Sequence, residues 1–354
     1  MKKCKLMKIL LLIFLLIFLI NSPWVVERIF ARGEVWQVLE FNDNQCFTYE
    51  VKRDTQELET SGEITFWVSD TPDEMTRLIA EGNFSNGEFR SSVSVKEKNK
   101  EDILANFMAT ILAESPYEVN EVLIYTIFYI PWLDIPVEKI DLTVGYEEYI
   151  TDCNEDNYLL AIDKKCKYIG IDGYLIQMKS EVGDINIEMC VNPELPLPLM
   201  IVSNSGAEGV FSAELTNYTT NFDIPEWGKS WETAENELMK VVDHFHSNNL
   251  QIGKRQPKSY KMIGATAGFG LEVEGGEIEL YIFDEENSEE DVLKKLNEAS
   301  NTGKFHHPSF NKDIPIIING NKMLIGLEVE YGNFSQTHPA KEEITKVFKT
   351  FDSN

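Results

Sequence analysis

Apolar and aromatic residues recur through 35–51 around the turn-like Asn42, Asp43 and Asn44, then alternate at Ile64, Phe66 and Val68 after Ser61-Gly62. Phe84, Phe89, Val93 and Val95 continue the pattern around Asn86-Gly87, a strong hairpin signal. These segments predict an antiparallel meander. The period changes at Lys100: Ile103, Leu104, Phe107, Met108, Ile111 and Leu112 recur at helical spacing until Ser115-Pro116. Residues 122–132 are nearly continuous in Ile, Tyr, Phe and Leu, a run that fits either a strand or a buried helix. Alternation resumes at Tyr158. Segments 174–182 and 185–191 flank Gly183-Asp184, and 199–202 and 209–218 flank Asn204-Ser205-Gly206, which predicts four more strands of a twisted antiparallel sheet. Pro193, Pro196 and Pro198 make the link between them a rigid crossing or an edge.

A second organisation begins near Asp223–Gly228. Ser230 is placed to cap a helix whose Leu238, Val241, Val242 and Phe245 share a face. Strands 270–273 and 278–283 follow across Gly275-Gly276, and Ser288 opens a helix through Val292, Leu293 and Leu296 that ends at Gly303. Strands 314–318 and 322–329 flank Asn319-Gly320, and Pro339 opens a last helix carrying Ile344, Val347, Phe348 and Phe351. The expectation is α-ββα-ββα, a degenerate ββα repeat in one mixed layer with helices on one face. The domains so drawn are 1–30 (signal peptide or N-terminal anchor), 31–227 and 228–354.

Charge adds a location. The chain has 354 residues, 43% of them hydrophobic, and a net charge of −27, which excludes wholesale disorder and argues against nucleic acid as a partner. The acidity is uneven. Residues 1–30 hold Lys2, Lys3, Lys5, Lys8 and Arg28 against Glu27, ahead of the unbroken 12-residue apolar run 9–20. A basic start before an apolar run is the layout of an export signal. Cleavage and retention as an anchor both stay open, because Leu19-Ile20-Asn21-Ser22-Pro23 is a poor peptidase site and 12 residues fall short of about 20 for a full span. Cys4 precedes the run and Cys46 lies far beyond it, so lipidation at the usual place is not expected. In an oxidising compartment Cys46, Cys153, Cys166 and Cys190 allow two bridges in any of three pairings; Cys153 and Cys166 are spaced to meet across a hairpin, and buried free thiols are the alternative. Residues 31–230 carry −23 and 231–354 carry −8, so the body is expected to stand off an anionic bilayer on its N-terminal segment.

Gln45-Cys46-Phe47-Thr48-Tyr49-Glu50-Val51 in an early strand, a central helix, and Gly173-Tyr174-Leu175-Ile176 leading to Val191-Asn192-Pro193-Glu194-Leu195-Pro196-Leu197-Pro198-Leu199 together resemble the exported half-barrel proteins related to lipoprotein-localisation factors. The resemblance covers roughly residues 34–218. It implies an α+β fold in which a curved antiparallel sheet wraps helices, with a hydrophobic cleft under the 103–112 helix; several such proteins bind acyl chains or lipoproteins there. No individual ligand contact carries over.

Motifs for chemistry are sparse. Asp152, Asn154, Asp156 and Asp163 partly follow calcium-loop spacing, but Asn157 stands where the sharp turn wants Gly, and a polar hairpin turn is the plainer reading. His244 and His246 fall two apart on a helix and point to different faces, and His306-His307 and His338 add no zinc spacing. The glycines of 264–270 lack the P-loop Lys and Ser/Thr, and close backbone packing or a bulge accounts for them. No catalytic, cofactor-binding or metal-ligating residue is singled out, and no cofactor is expected. The leading expectation is therefore an exported, membrane-associated binding protein without catalysis, taking a lipid or other apolar ligand or an envelope protein as partner. The alternatives are an exported hydrolase using cleft carboxylates and a structural envelope component. A continuous apolar concavity beneath the 103–112 helix is the mark of the first; the same volume filled by side chains counts against a lipid ligand and favours the last.

Overall fold

The computed structural model describes residues 34–36, 44–54, 59–70, 76–85, 87–95, 111, 117–124, 126–127, 140–151, 157–181, 185–206, 209–258, 260–284, 288, 290–307, 311–331 and 334–351. The N-terminal segment, and the 103–112 helix apart from Ile111, lie outside them.

The described chain is α+β, built on two large open antiparallel sheets. The first takes β2 (Gln45–Asp54), β3 (Glu59–Asp70), β4 (Thr76–Phe84), β5 (Gly87–Val95), β7 (Glu147–Thr151), β8 (Asn157–Tyr168), β9 (Ile171–Ser180), β10 (Ile185–Val191), β11 (Met200–Ser205) and β12 (Val210–Thr219). Their order is β5-β4-β3-β2-β12-β11-β10-β9-β8-β7. Two meanders are thus fused where β12 pairs with β2, Ala213 opposite Val51. Period-2 alternation sets the faces: Phe47, Tyr49 and Val51 are buried, while Glu50 and Lys52 face water. A short pair, β1 (Val35–Trp36) with β6 (Ile140–Asp141), and helix α1 (Tyr117–Ile124) lie with this sheet.

Several expected details shift. Phe84 pairs with Gly87, so the hairpin turns at 85–86, one residue earlier than Asn86-Gly87. The ambiguous run from 122 enters as the end of α1, with a turn at Thr126 and Ile127. Asn157 and Asp163 lie on β8, whereas Asp152, Asn154 and Asp156 of the calcium-loop spacing lie outside the described residues. The proline link is no edge: 195–199 are buried.

The second sheet contains β13 (Ile252–Pro257), β14 (Ala267–Val273), β15 (Gly276–Ile282), β16 (Lys304–His307), β17 (Lys312–Asn319) and β18 (Lys322–Ile325), in the order β13-β14-β15-β18-β17-β16. All its pairings are antiparallel, so the layer is not mixed. Helices α2 (Glu226–Ser247), α3 (Glu290–Thr302) and α4 (Lys341–Thr350) accompany it. The repeat is αβββ, not ββα: α2 leads into β13, β14 and β15, α3 leads into β16, β17 and β18, and the two triplets meet at β15 and β18. Gly326, at φ +96 and with no room for a Cβ beside the Glu277 carbonyl, ends β18 early, and the chain continues as the separate hairpin β19 (Glu328–Tyr331) and β20 (Phe334–Thr337).

Helix α2 buries Trp231, Ala234, Leu238, Val241, Val242 and Phe245, a stripe of helical period, and Phe245 meets Phe348 of α4 edge to face at 6.4 Å between centroids. It starts at Glu226 after Pro225, so Ser230 is not its cap. The extra turn is held by contact with the other sheet: the Trp227 indole N–H donates to Glu81 at 3.1 Å, and Gly228 lies against Ile79.

Candidate functional site

The inner face of the ten-stranded sheet is the largest apolar surface among the described residues. Register carries one row, Ile162, Ile176, Met189, Ile201, Ala213, Val51, Gly62 and Phe84, across eight consecutive strands. The adjoining row runs Leu215, Tyr49, Ile64, Gly82 and Phe89. The glycines make room, because a Cβ on Gly82 would lie 2.1 Å from the Phe89 ring, and one on Gly62 would lie 2.6 Å from the Phe84 ring.

Among the described residues the cover comes from α1 and its neighbours Ile111 and Ile127, from Trp36 and Ile140 of the β1–β6 pair, and from the 195–199 segment. Ile111, Val119, Val122, Leu123 and Ile127 are buried against the sheet. Residues 195–199 form a strap across its end, with Leu195, Leu197 and Leu199 facing the core. Two long-range bonds fasten the strap: the Trp36 indole N–H donates to the Leu195 carbonyl and the Tyr49 hydroxyl to the Pro198 carbonyl, each at 2.7 Å. Burial pushes the Tyr49 phenol well above its ordinary value and keeps it neutral as a donor. The Leu-Pro alternation was the sequence signal for this burial. Leu at every second place is what a buried extended segment needs.

The inner surface is packed. Phe47, Tyr49, Val51, Ile64, Ile176, Met178, Ile187 and Phe211 are all 0% exposed, so side chains occupy the space directly above them. Two polar groups are trapped in the same face: Ser91 and Ser203 are 0% exposed, and their hydroxyls have no hydrogen-bond partner among the described residues. A buried unpartnered hydroxyl costs about 1–3 kcal/mol.

The outer face of β4 and β5 meets α2 and β13 through a polar cluster. The Glu235 carboxylate, on a side chain only 6% exposed, accepts from Arg255 and from the Ser94 hydroxyl (2.6 Å), with Arg77 Nε at 3.6 Å. Arg77 also reaches Asn236 at 2.9 Å and Glu232 at 3.4 Å. The hydroxyls of Ser92 and Tyr260 lie 2.5 Å apart. Nothing in the sequence pointed to this cluster, since its members are scattered over 180 residues.

The remaining sequence features separate in space. His244 Nε2 lies 3.2 Å from the Val347 carbonyl, holding the end of α2 to α4, whereas His306 pairs with Asp313 at 3.1 Å on the neighbouring strand. No cluster of His, Cys, Asp and Glu among the described residues is arranged to hold a metal ion. The glycine-rich segment serves close packing: a Cβ on Gly268 would stand 2.2 Å from the Tyr281 ring, and Gly264 takes φ +78 after a 3-10 turn. Glu237 and Asp284 share a groove of about 570 Å³ beside α2, but Glu237 is bound to Lys240. Cys166 is bonded to Cys190, which replaces the Cys153–Cys166 pairing, and Cys46 is a buried free thiol.

No family model matches the sequence, and no curated protein is similar to it. Among solved structures, the chain overlaps MucB in complex with MucA(peri) at 7% identity, over 80% of this chain and 86% of that one, with a TM-score of 0.27. A beta-barrel-like protein of unknown function from Brucella abortus overlaps at 9% identity over 53% and 100%, TM-score 0.25. A LolA superfamily protein from Nitrosomonas europaea overlaps at 7% identity over 53% and 90%, TM-score 0.17. Overlaps this slight say nothing about activity, and the architecture described above rests on strand order and register.

Proposed function

We propose that this chain is an extracytoplasmic binding protein without catalysis, which takes an apolar ligand, a lipid or lipid-like molecule, between the ten-stranded sheet and its cover. Residues 31–227 form the binding domain, and residues 228–354 form a smaller domain for protein contact, a division supported by their separate cores. The observation that carries the reading is the apolar inner face itself, continuous over eight strands and covered, among the described residues, by α1, the short β1–β6 pair and a strap. The hydroxyls of Ser91 and Ser203 supply buried polar points that a ligand's ester or hydroxyl can satisfy. Because the inner face is packed, entry of a ligand requires the cover to lift, and the ligand replaces the contacts the cover gives up.

The same packing favours one alternative, a structural envelope component with a filled core. Native mass spectrometry of the full chain, purified from its own membranes, separates the two. Retained lipid, together with uptake of cis-parinaric acid that is lost in a Gly82→Leu variant, supports ligand binding. An empty protein that takes up no probe supports the structural reading. The membrane itself is reached through the N-terminal segment, on the strength of the basic start and apolar run at 9–20.

A further inference from the structure

The hairpin of β8 and β9 turns on two residues, Ile169 and Gly170, between the paired Tyr168 and Ile171. Both turn residues have positive φ, +43 at Ile169 and +86 at Gly170. Glycine or asparagine adopts this region readily; a β-branched residue is held there against its preference. Ile169 is also 47% exposed, so about half of its apolar surface stays in water. A strained turn that still leaves an isoleucine half in water points to an apolar environment outside the monomer.

Two further observations say what that environment is. Lys164, Lys165 and Lys167 precede the tip, and with Asp163 and Asp172 they leave residues 163–172 at +1 in a chain of −27. Glu34, the residue nearest the N-terminal apolar run among those described, also touches this hairpin. Glu34 hydrogen-bonds the hydroxyl of Tyr174, which is the cross-strand partner of Lys165 and holds the Lys165 ammonium 5.3 Å from its ring centroid. Residues 21–33 alone separate Glu34 from the apolar run 9–20, a reach of at most about 45 Å. The tip lies roughly 13 Å along the strand from Tyr174. A chain held at a bilayer by residues 9–20 is therefore tethered beside the hairpin, through Glu34. The Cys166–Cys190 bond ties β8 to β10 close to the turn and stiffens the tip.

We infer that the β8–β9 hairpin is a membrane-contact element, in which Ile169 enters the interface of a phospholipid bilayer and the adjacent lysines face lipid phosphates. This rests on the reading that the N-terminal segment reaches the membrane. Acidic neighbours confine the contact to the tip: Asp163 and Asp172 lie beside Lys164 and Lys167, and Glu214 and Glu188 face Tyr168. The rest of the acidic body stays off the surface.

The full chain is reconstituted into vesicles of phosphatidylcholine and phosphatidylglycerol, with and without brominated acyl chains, as wild type, Ile169→Trp and Val210→Trp. Val210, 41% exposed on β12, is the control. Bromolipid is expected to quench the added emission of Ile169→Trp at least twofold more than that of Val210→Trp, with a blue shift. As a second measurement, Ile169→Asn suits the turn better and keeps the fold. In vesicles it should raise acetylation of Lys167 by a water-soluble reagent to the level of the exposed Lys294, while wild-type Lys167 stays several-fold slower. Flotation of the protein with equal quenching in the two tryptophan variants, or with no difference in Lys167 labelling, overturns the hairpin contact alone. Failure to float overturns the anchor reading and this inference together.

Discussion

Cys166 on β8 and Cys190 on β10 are bonded although their strands are not neighbours: β9 runs between them, and their Cα atoms lie 6.1 Å apart. The crossing is open because β9 has a glycine there. A Cβ on Gly173 would lie 3.0 Å from the Cys190 sulfur and 2.6 Å from the Val191 carbonyl. The bond closes a loop over a sequence separation of 24, worth about 3 kcal/mol on the chain-entropy scale. Cys166→Ser combined with Cys190→Ser is expected to lower the unfolding free energy by about that amount, read from urea titrations. Dithiothreitol should lower it in the wild type and leave the double variant unchanged.

Glu235 is nearly buried between Arg77 and Arg255, at the junction of the two sheets. Removing one partner of a buried pair leaves charge uncompensated, so Glu235→Ala is expected to cost about 3–5 kcal/mol. Glu50→Ala breaks a half-exposed pair with Lys52 and should change stability by less than about 1 kcal/mol. Denaturant midpoints of the two variants, compared with wild type, make the test.

Gly82 and Gly268 are required by neighbouring rings, not by backbone conformation. An added Cβ would lie 2.1 Å from the ring of Phe89 and 2.2 Å from that of Tyr281 respectively. Gly82→Ala and Gly268→Ala should each lose about 1–3 kcal/mol from overpacking. Gly320 has φ +59 and open space, so Gly320→Asn should be far milder. Thermal unfolding of the three variants would show the order.

Stability should fall on both sides of neutrality. Burial pushes the Cys46 thiol up to about 11, and hydrogen bonding to Glu34 takes the Tyr174 phenol up to about 12. Both folded values exceed the unfolded ones, so their contribution is complete at neutral pH and is lost as pH rises from about 9 through 12. His307 behaves oppositely: burial lowers its value, assisted by His306 and opposed by Glu279. Its contribution is present above about pH 6.5 and is lost as pH falls. Melting curves against pH should flatten on the alkaline side in Cys46→Ala and on the acid side in His307→Gln.

Legibility in the sequence followed the range of the interactions. The strands of the first sheet could be read because one face is buried at every second position, as at Phe47, Tyr49 and Val51. Helices α2, α3 and α4 could be read from apolar stripes such as Leu238, Val241, Val242 and Phe245. Helix starts were less secure. Ser230 was a sound local cap, yet Trp227 and Gly228 carried the helix a turn further back by packing on β4. Strands β13 and β16 escaped notice because Lys254, Arg255, Lys304 and His306 break the apolar alternation that marks a strand. No candidate residue could be named in the inner face, since Ser91 and Ser203 become unusual only once both prove buried without partners.

The sequence by itself determined the α+β class, the antiparallel meanders, the acidic body and the basic, apolar start. Each of these depends on periodicity or composition, properties of residues near one another along the chain. Tertiary structure alone decided that β12 closes onto β2, that Cys166 takes Cys190 and not Cys153, and that a proline strap is fastened by Trp36 and Tyr49. It likewise placed Ile169 at a strained, half-exposed turn of the hairpin that Glu34 touches. These features join positions up to 173 residues apart, as Gln45 joins Tyr218, and no local preference records which of the many possible distant partners a residue will meet.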